Sequence, residues 1–192
     1  MALHSHMVPI GTRIPDVSLR DREGAEVKVR ELVGGQPVLV AFLANHCPYV
    51  QHVEQELGRI ADEYGDSVTF VGVSSNDLDN YPADGPDGMR DQAERAGWRF
   101  EYLLDQDQQA AKDFNAACTP DFFLYDETGT LVYRGAMDAS SPKNGEVNDG
   151  HLLREALSLA VNGQSVPQPH RPSMGCGIKW KPGNEPPAVN FG

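Results

Sequence analysis

The chain is 192 residues long, which at roughly 150 residues per domain favours one domain with extensions over two. A domain of that size buries about 70% of the surface its unfolded chain exposes, so it needs neither disulfides nor a structural metal to fold. Sixteen Lys and Arg against 28 Asp and Glu give a net charge of −12 with no basic run, which excludes a phosphate backbone as partner.

No stretch approaches the roughly 20 apolar residues of a membrane span, and Met1 to Thr12 lacks the apolar core of a secretory leader. The expectation is a soluble, cytoplasmic protein that binds neither nucleic acid nor membrane. In chain order, Val17 to Val29 reads as an N-terminal addition. Pro37-Val38-Leu39-Val40-Ala41-Phe42-Leu43 follows the Gly34-Gly35 break as a nearly continuous apolar run and predicts a buried strand. Val50, Val53, Leu57, Ile60, Ala61 and Tyr64 then keep the three-and-four spacing of a helix, with Pro48 in the first turn, where no N–H is needed. Gly65 stops that helix, and Val68 to Val73 is the next buried strand, completing a βαβ unit.

Asn76 to Asp87 reads as a long polar loop leading into a helix from about Gly88 to Ala96. Phe100 to Leu104 predicts a strand, and Gln108 to Phe114 a short helix. Phe122 to Tyr125 and Leu131 to Arg134 flank Asp126-Glu127-Thr128-Gly129, the composition of a hairpin turn. After a polar loop from Met137 to Gly150, Leu152, Leu153, Ala156, Leu157 and Ala160 line one face of a last helix, His151 to Val161. The domain is placed at residues 1–162. Residues 163–192, rich in Pro and Gly and without periodicity, are expected to form an extended tail wrapped on the domain or partly disordered. This order of elements is that of an α/β, thioredoxin-like fold: a mixed central sheet flanked by helices, with an N-terminal extension, an α/β insertion and the tail.

Three well-separated cysteines, Cys47, Cys118 and Cys176, do not suit a secreted disulfide framework. Cys47 follows a buried strand and precedes the first helical turn, so unpaired N–H groups and the positive end of the helix dipole face its sulfur and favour a thiolate. His46, its neighbour, would favour it further. A thiolate is the form that attacks a peroxide or a disulfide.

Three motifs carry a family resemblance: Ala44-Asn45-His46-Cys47-Pro48-Tyr49-Val50, Ala117-Cys118-Thr119-Pro120-Asp121-Phe122-Phe123, and Gly175-Cys176-Gly177-Ile178-Lys179-Trp180-Lys181. In this order they resemble the peroxiredoxin-like branch of the thioredoxin superfamily, grouped with the alkyl hydroperoxide reductase and thiol-specific antioxidant (redoxin-type) proteins. Gly11 to Leu19 is similar to a redoxin entry segment and Tyr133-Arg134-Gly135 to its late strand. The chain departs from relatives at two points: Val50 stands where thioredoxins have a second cysteine, which excludes a local dithiol couple. Ala44 and Val40 stand where peroxiredoxins have a Thr or Ser and a Pro, which removes the hydroxyl that would hydrogen-bond a peroxide.

The resemblance implies a thiol-dependent oxidoreductase without a cofactor. Cys47 would be the nucleophile toward a hydroperoxide or a disulfide, with His46 beside it and Cys176 or Cys118 as the resolving thiol. Pro120 would be cis, placing the Thr119 backbone opposite Cys47, so that Asn45, Pro48, Thr119 and Pro120 form a substrate site. Gly175 and Gly177 give Cys176 backbone freedom, the mounting expected of a resolving cysteine. An external thiol, either a thioredoxin-like protein or a low-molecular-weight thiol, would reset the pair.

Two readings of other classes remain. One is a non-catalytic module using the groove near Pro120 to hold a protein or peptide. The other is a zinc site of the three cysteines and His46, for which the short C-x₂₋₄-C spacing is missing. Asn76 to Asn80 reads as a solvated loop or part of a pocket rim, His170 as a surface or partly satisfied histidine, and Arg134 as facing either the cysteine or solvent. Lys179-Trp180-Lys181 is expected to dock the tail.

Overall fold

A computed structural model describes residues 1–191. In chain order its elements are β1 (Ala2–His4), β2 (Ser18–Arg20), β3 (Glu26–Lys28), β4 (Val38–Leu43), α1 (Pro48–Tyr64), β5 (Thr69–Ser74), α2 (Pro86–Ala96), β6 (Glu101–Leu104), α3 (Gln109–Asp113), β7 (Cys118–Thr119), β8 (Asp121–Tyr125), β9 (Leu131–Gly135), α4 (His151–Val161) and β10 (Met174–Gly177). Two 3-10 turns, Val29–Leu32 and Pro82–Asp84, complete the chain.

The main sheet has seven strands in the order β3-β2-β6-β5-β4-β8-β9. β4, β5 and β6 run parallel, while β8 and β9 extend the sheet antiparallel from β4. Its alternation sorts side chains between two cores, as the two-residue period of a strand requires. Leu39, Ala41 and Leu43 of β4 face α1, α2 and α4. Val38, Val40 and Phe42 face α3 and the N-terminal segment. With both faces covered, β4 is buried at every residue and reads in sequence as an unbroken apolar run.

The expected mixed sheet flanked by helices is present, and the N-terminal addition forms the β2–β3 hairpin at the sheet's edge. The tail takes the first of its two expected forms. It wraps the domain, but residues 174–177 form a strand, β10, in a small separate sheet of order β1-β10-β7. Met-Gly-Cys-Gly has no apolar alternation, so this strand exists because two other strand edges satisfy its backbone. Ile178 and Trp180 then pack into the α3-side core, which ties residues 163–191 to the body of the domain.

Arg134 departs from both of its expected placements. It pairs in register with Phe123, whose side chain faces the α3-side core. That puts the guanidinium under the N-terminal segment, where Nε donates to the Val8 carbonyl at 2.6 Å and Nη1 meets His170 Nδ1 at 2.8 Å. His170 is therefore buried, not a surface residue, and burial followed by the Arg134 charge hold its pKa below the ordinary value.

Candidate functional site

β4 ends at Leu43, and the chain turns through Ala44 to His46 before Pro48 opens α1. Cys47 is the N-cap of that helix, with extended backbone angles (φ −77°, ψ 120°) and Pro48 in the first turn. No acidic residue lies in the first turn. The free N–H groups and the positive end of the dipole are thus left to the site itself. The Cys47 side chain is fully buried, and its thiol donates to the Thr119 carbonyl at 3.2 Å. The Thr119–Pro120 bond is cis, as the motif led us to expect, and it leads directly into β8.

Cys176 arrives from the opposite direction. β10 pairs antiparallel with β7 so that Cys176 lies opposite Thr119 and Gly177 opposite Cys118. Its side chain packs against the core cluster that contains Cys47. Burial first, and the neighbouring Cys47 second, push the Cys176 thiol up to about 11, with Lys179 pulling the other way. The expected mobile mounting is not what is seen: Cys176 is held in a strand.

Cys118 is close but differently oriented. It is fully buried, its sulfur lies 3.7 Å from the Pro120 carbonyl, and burial followed by the Asp121 charge push its thiol well above the ordinary range. Next along the chain, Asp121 is also buried at 0% exposure, with Oδ2 accepting from the Ala117 N–H at 3.1 Å and Oδ1 unpartnered. Burial raises its carboxyl to about 7.

His46 is partly exposed and is held from behind. Its Nδ1 pairs with Asp84 Oδ2 at 2.5 Å, and its backbone N–H donates to Asp84 Oδ1 at 3.1 Å. Asp84 is fully buried and also accepts from Asn76 Nδ2 at 2.9 Å. The Tyr81 ring stacks on His46 at 5.1 Å, and Lys179 Nζ lies 5.9 Å above Tyr81. Sequence reasoning missed Asp84: the loop also holds Asp77, Asp79 and Asp87, Asn76 and Asp77 are buried with it instead of solvated, and nothing local marks which carboxylate meets His46.

One expected substrate contact has partners within the chain and another is open to solvent. Asn45 donates to the Ala83 carbonyl at 3.0 Å and accepts from Arg95 at 3.0 Å, so its side chain clasps the loop to α2. Pro48 is exposed at the start of α1. Thr119, by contrast, does lie against Cys47, and Pro120, next in the chain, borders a cavity of about 330 Å³. That cavity has apolar walls including Val53, Phe122 and Met174, with His4, His52 and Arg171 also lining it.

A buried cysteine capping a helix after a central strand, opposite a cis-proline, defines a thioredoxin-fold protein with a thiol site. More particularly, the AhpC/TSA family profile matches residues 10–134, and the chain belongs to that family. No curated protein matches the chain significantly. Among solved structures, an uncharacterized conserved protein from Geobacillus kaustophilus is 41% identical over 95% of this chain and 97% of its own, with a TM-score of 0.90. A hypothetical protein from Sinorhizobium meliloti 1021 is 37% identical over 94% and 99%, also at 0.90. A secreted Mycobacterium tuberculosis disulfide oxidoreductase homologous to Escherichia coli DsbE shares the fold at 20% identity, covering 74% of this chain and 95% of its own with a TM-score of 0.58. Family and fold together support a thioredoxin-fold redox function. Among the described residues, no helix is long and apolar enough to cross a membrane.

Proposed function

We propose that the protein is a thiol-dependent oxidoreductase of antioxidant type, in which Cys47 attacks a hydroperoxide or a disulfide and Cys176 closes a disulfide with it. The reading rests on one observation: strand register sets Cys176 opposite Thr119, whose carbonyl accepts from the Cys47 thiol at the N-terminus of α1, so the two cysteines meet at one residue.

The two thiols then have unequal tasks. Cys176, with its pKa pushed up, keeps its proton in the reduced protein, which leaves Cys47 at the helix terminus as the first nucleophile. With a hydroperoxide, the Cys47 thiolate takes the distal oxygen as the O–O bond breaks. One proton completes the leaving alcohol, and the sulfur is oxidised by two electrons to a sulfenic acid. The Cys176 thiol condenses with that sulfenic acid, releasing water and forming the Cys47–Cys176 disulfide. With a disulfide substrate, Cys47 displaces one thiolate to form a mixed disulfide, and Cys176 displaces the second. In either case two equivalents of an external thiol return the pair to the reduced state. His46, the residue before Cys47 and oriented by Asp84, is the group we assign to pass a proton at the rim.

We assign no redox role to Cys118, whose sulfur lies against the Pro120 carbonyl. The test is a titration of the reduced protein with hydrogen peroxide, followed by peptide mapping. A fast stoichiometric product linking Cys47 to Cys176 is expected, and Cys176→Ser should stop at a Cys47 sulfenic acid. Slow oxidation spread over all three cysteines would overturn the peroxide branch. The same outcome with a small disulfide would overturn the function.

A further inference from the structure

The backbone beside Cys47 has one strand edge to offer, that of β7, and the chain uses it itself. β10 fills that edge through the pairs Cys176 with Thr119 and Gly177 with Cys118. The approach is so close that a Cβ on Gly175 would stand 1.9 Å from the Thr119 carbonyl oxygen. On the far side β10 is covered by β1, where Ala2 lies opposite Cys176.

The strand is pinned at both ends. Before it, Ser173 Oγ donates to the Gly135 carbonyl at 2.5 Å, and the Ser173 carbonyl accepts from the Ser5 N–H at 2.9 Å. After it, the Lys179 N–H donates to Asn76 Oδ1 at 2.8 Å, and its carbonyl accepts from the Asp77 N–H at 2.8 Å and from Gln108 Nε2 at 2.9 Å. Gln108, fully buried, also accepts from the Lys181 N–H at 2.9 Å. An extended polypeptide that sought main-chain bonds next to Cys47 would have to displace all of this.

What remains open beside Pro120 is the cavity of about 330 Å³, the lower end of the range for small-molecule sites. Its walls combine apolar Val53, Phe122 and Met174 with three groups able to carry positive charge, His4, His52 and Arg171. Arg171 forms no ion pair among the described residues. The one carboxylate in the lining, Asp138, is already engaged, accepting from the Ser140 N–H and hydroxyl and the Gly150 N–H. An Arg171 guanidinium outside any ion pair, on a chain of net charge −12, gives an anion a local partner here.

We propose that β10 is a built-in substrate strand: it occupies in cis the edge a polypeptide partner would need, and so reserves Cys47 for small substrates with an apolar body and a carboxylate, seated in the cavity beside Pro120. This rests on Cys47 being the nucleophile of the proposed function. The same exclusion selects, between the two classes of reductant, the low-molecular-weight thiol over a thioredoxin-like protein.

The test compares three disulfides as probes of the reduced protein: dithiobis-nitrobenzoate, which is small and carboxylated; dithiodipyridine, which is small and neutral; and an oxidised linear peptide disulfide. In each reaction Cys47 displaces one thiolate and Cys176 the second, so two thiolates are released per Cys47–Cys176 disulfide and the two thiol protons go to solvent. Wild type should react with dithiobis-nitrobenzoate at least tenfold faster than with the peptide. Arg171→Gln should slow the carboxylated probe about threefold or more, leaving dithiodipyridine unchanged.

Gly175→Val, which crowds β10 and Cys176 off Thr119, should raise peptide reactivity at least tenfold, read as the first thiolate that Cys47 displaces. Should that variant fail to fold, Gln108→Ala, which unpins Lys179 and Lys181, should do the same. Equal rates for peptide and carboxylated probe in wild type would overturn the inference, as would a folded tail-release variant no faster with the peptide, or an Arg171→Gln variant indifferent to probe charge. A Cys47 inert to all three probes in every variant would overturn the proposed function with it, which separates the two failures.

Discussion

The two cysteines that meet at this site are delivered by unlike pieces of chain. Cys47 follows β4, whose six residues are all buried and which pairs with β5 on one side and β8 on the other. Cys176 sits on a four-residue strand of which only Gly175 is buried, held by two short strands and a few polar anchors. The place of Cys47 is a consequence of the core. That of Cys176 is a consequence of hydrogen bonds at the ends of its strand, so the two sides of the site should come apart under different perturbations.

The largest separation should come from paired core truncations. Phe42 is fully buried, with edge-on ring contacts to Phe114 at 5.5 Å and Phe123 at 5.9 Å. Phe42→Ala should cost about 3–5 kcal/mol of global stability in urea unfolding, and both sides of the site fail together. Ile178, packed into the same core from the tail, should cost about 2 kcal/mol when cut to Ala. In that variant amide exchange at residues 174–181 should accelerate while β4 stays protected, because local opening no longer needs the global transition.

Asp121 sharpens the comparison, because it lies where the two pieces join. It pairs with Phe42 of β4 and accepts from the Ala117 N–H next to β7. Its carboxyl, raised from 3.8 to about 7, is held protonated by the folded state. A raised folded-state pKa stabilises fully below the unfolded value, and that contribution is lost as pH rises through the folded one. Asp121→Asn, which stays neutral, should therefore gain on wild type between about pH 4 and pH 7. The advantage should level off above that at about 4 kcal/mol, read from urea midpoints across pH.

How much of this was legible beforehand follows the same division. The run from Pro37 to Leu43, the helix spacing from Val50 to Tyr64 and the Asp126 to Gly129 turn are local patterns, and the structure carries them as β4, α1 and the β8–β9 hairpin. Thr119-Pro120 was legible as a cis bond because its motif is contiguous. Met174 to Gly177 carries no strand pattern, since two of its four residues are glycine and its partners lie about 55 and 170 positions away. Asp84 was illegible for a related reason. Its task is defined by His46 and Asn76, and nothing in its own neighbourhood records either.

Asp84 also links the two halves, because Asn76 touches it through Nδ2 and receives the Lys179 N–H through Oδ1. Asp84→Asn leaves His46 and Asn76 competing for one acceptor oxygen inside the protein. A buried donor without a partner costs about 1–3 kcal/mol, and here the loss should lie near the lower end, because His46 is partly exposed to water. The signature that separates this from simple destabilisation is a tail effect: exchange at residues 177–181 should rise beyond what the drop in global stability explains.

The smallest effect should come from the third cysteine, and it decides whether the site has two thiols or three. Cys118 lies in register with Gly177, one pair along from the Cys176–Thr119 pair, so it is near the exchange in space. Its sulfur, however, is fully buried against the Pro120 carbonyl, and burial keeps its proton in place. Unlike Cys47, Cys118 caps no helix, so no free helix N–H groups face its sulfur to support a thiolate. Cys118→Ala removes one sulfur from a packed position, costing about 1 kcal/mol. The rate and yield of the Cys47–Cys176 disulfide should remain within about twofold of wild type. A large fall in that yield at unchanged stability would make Cys118 a third partner, and the site would have to be redrawn around it.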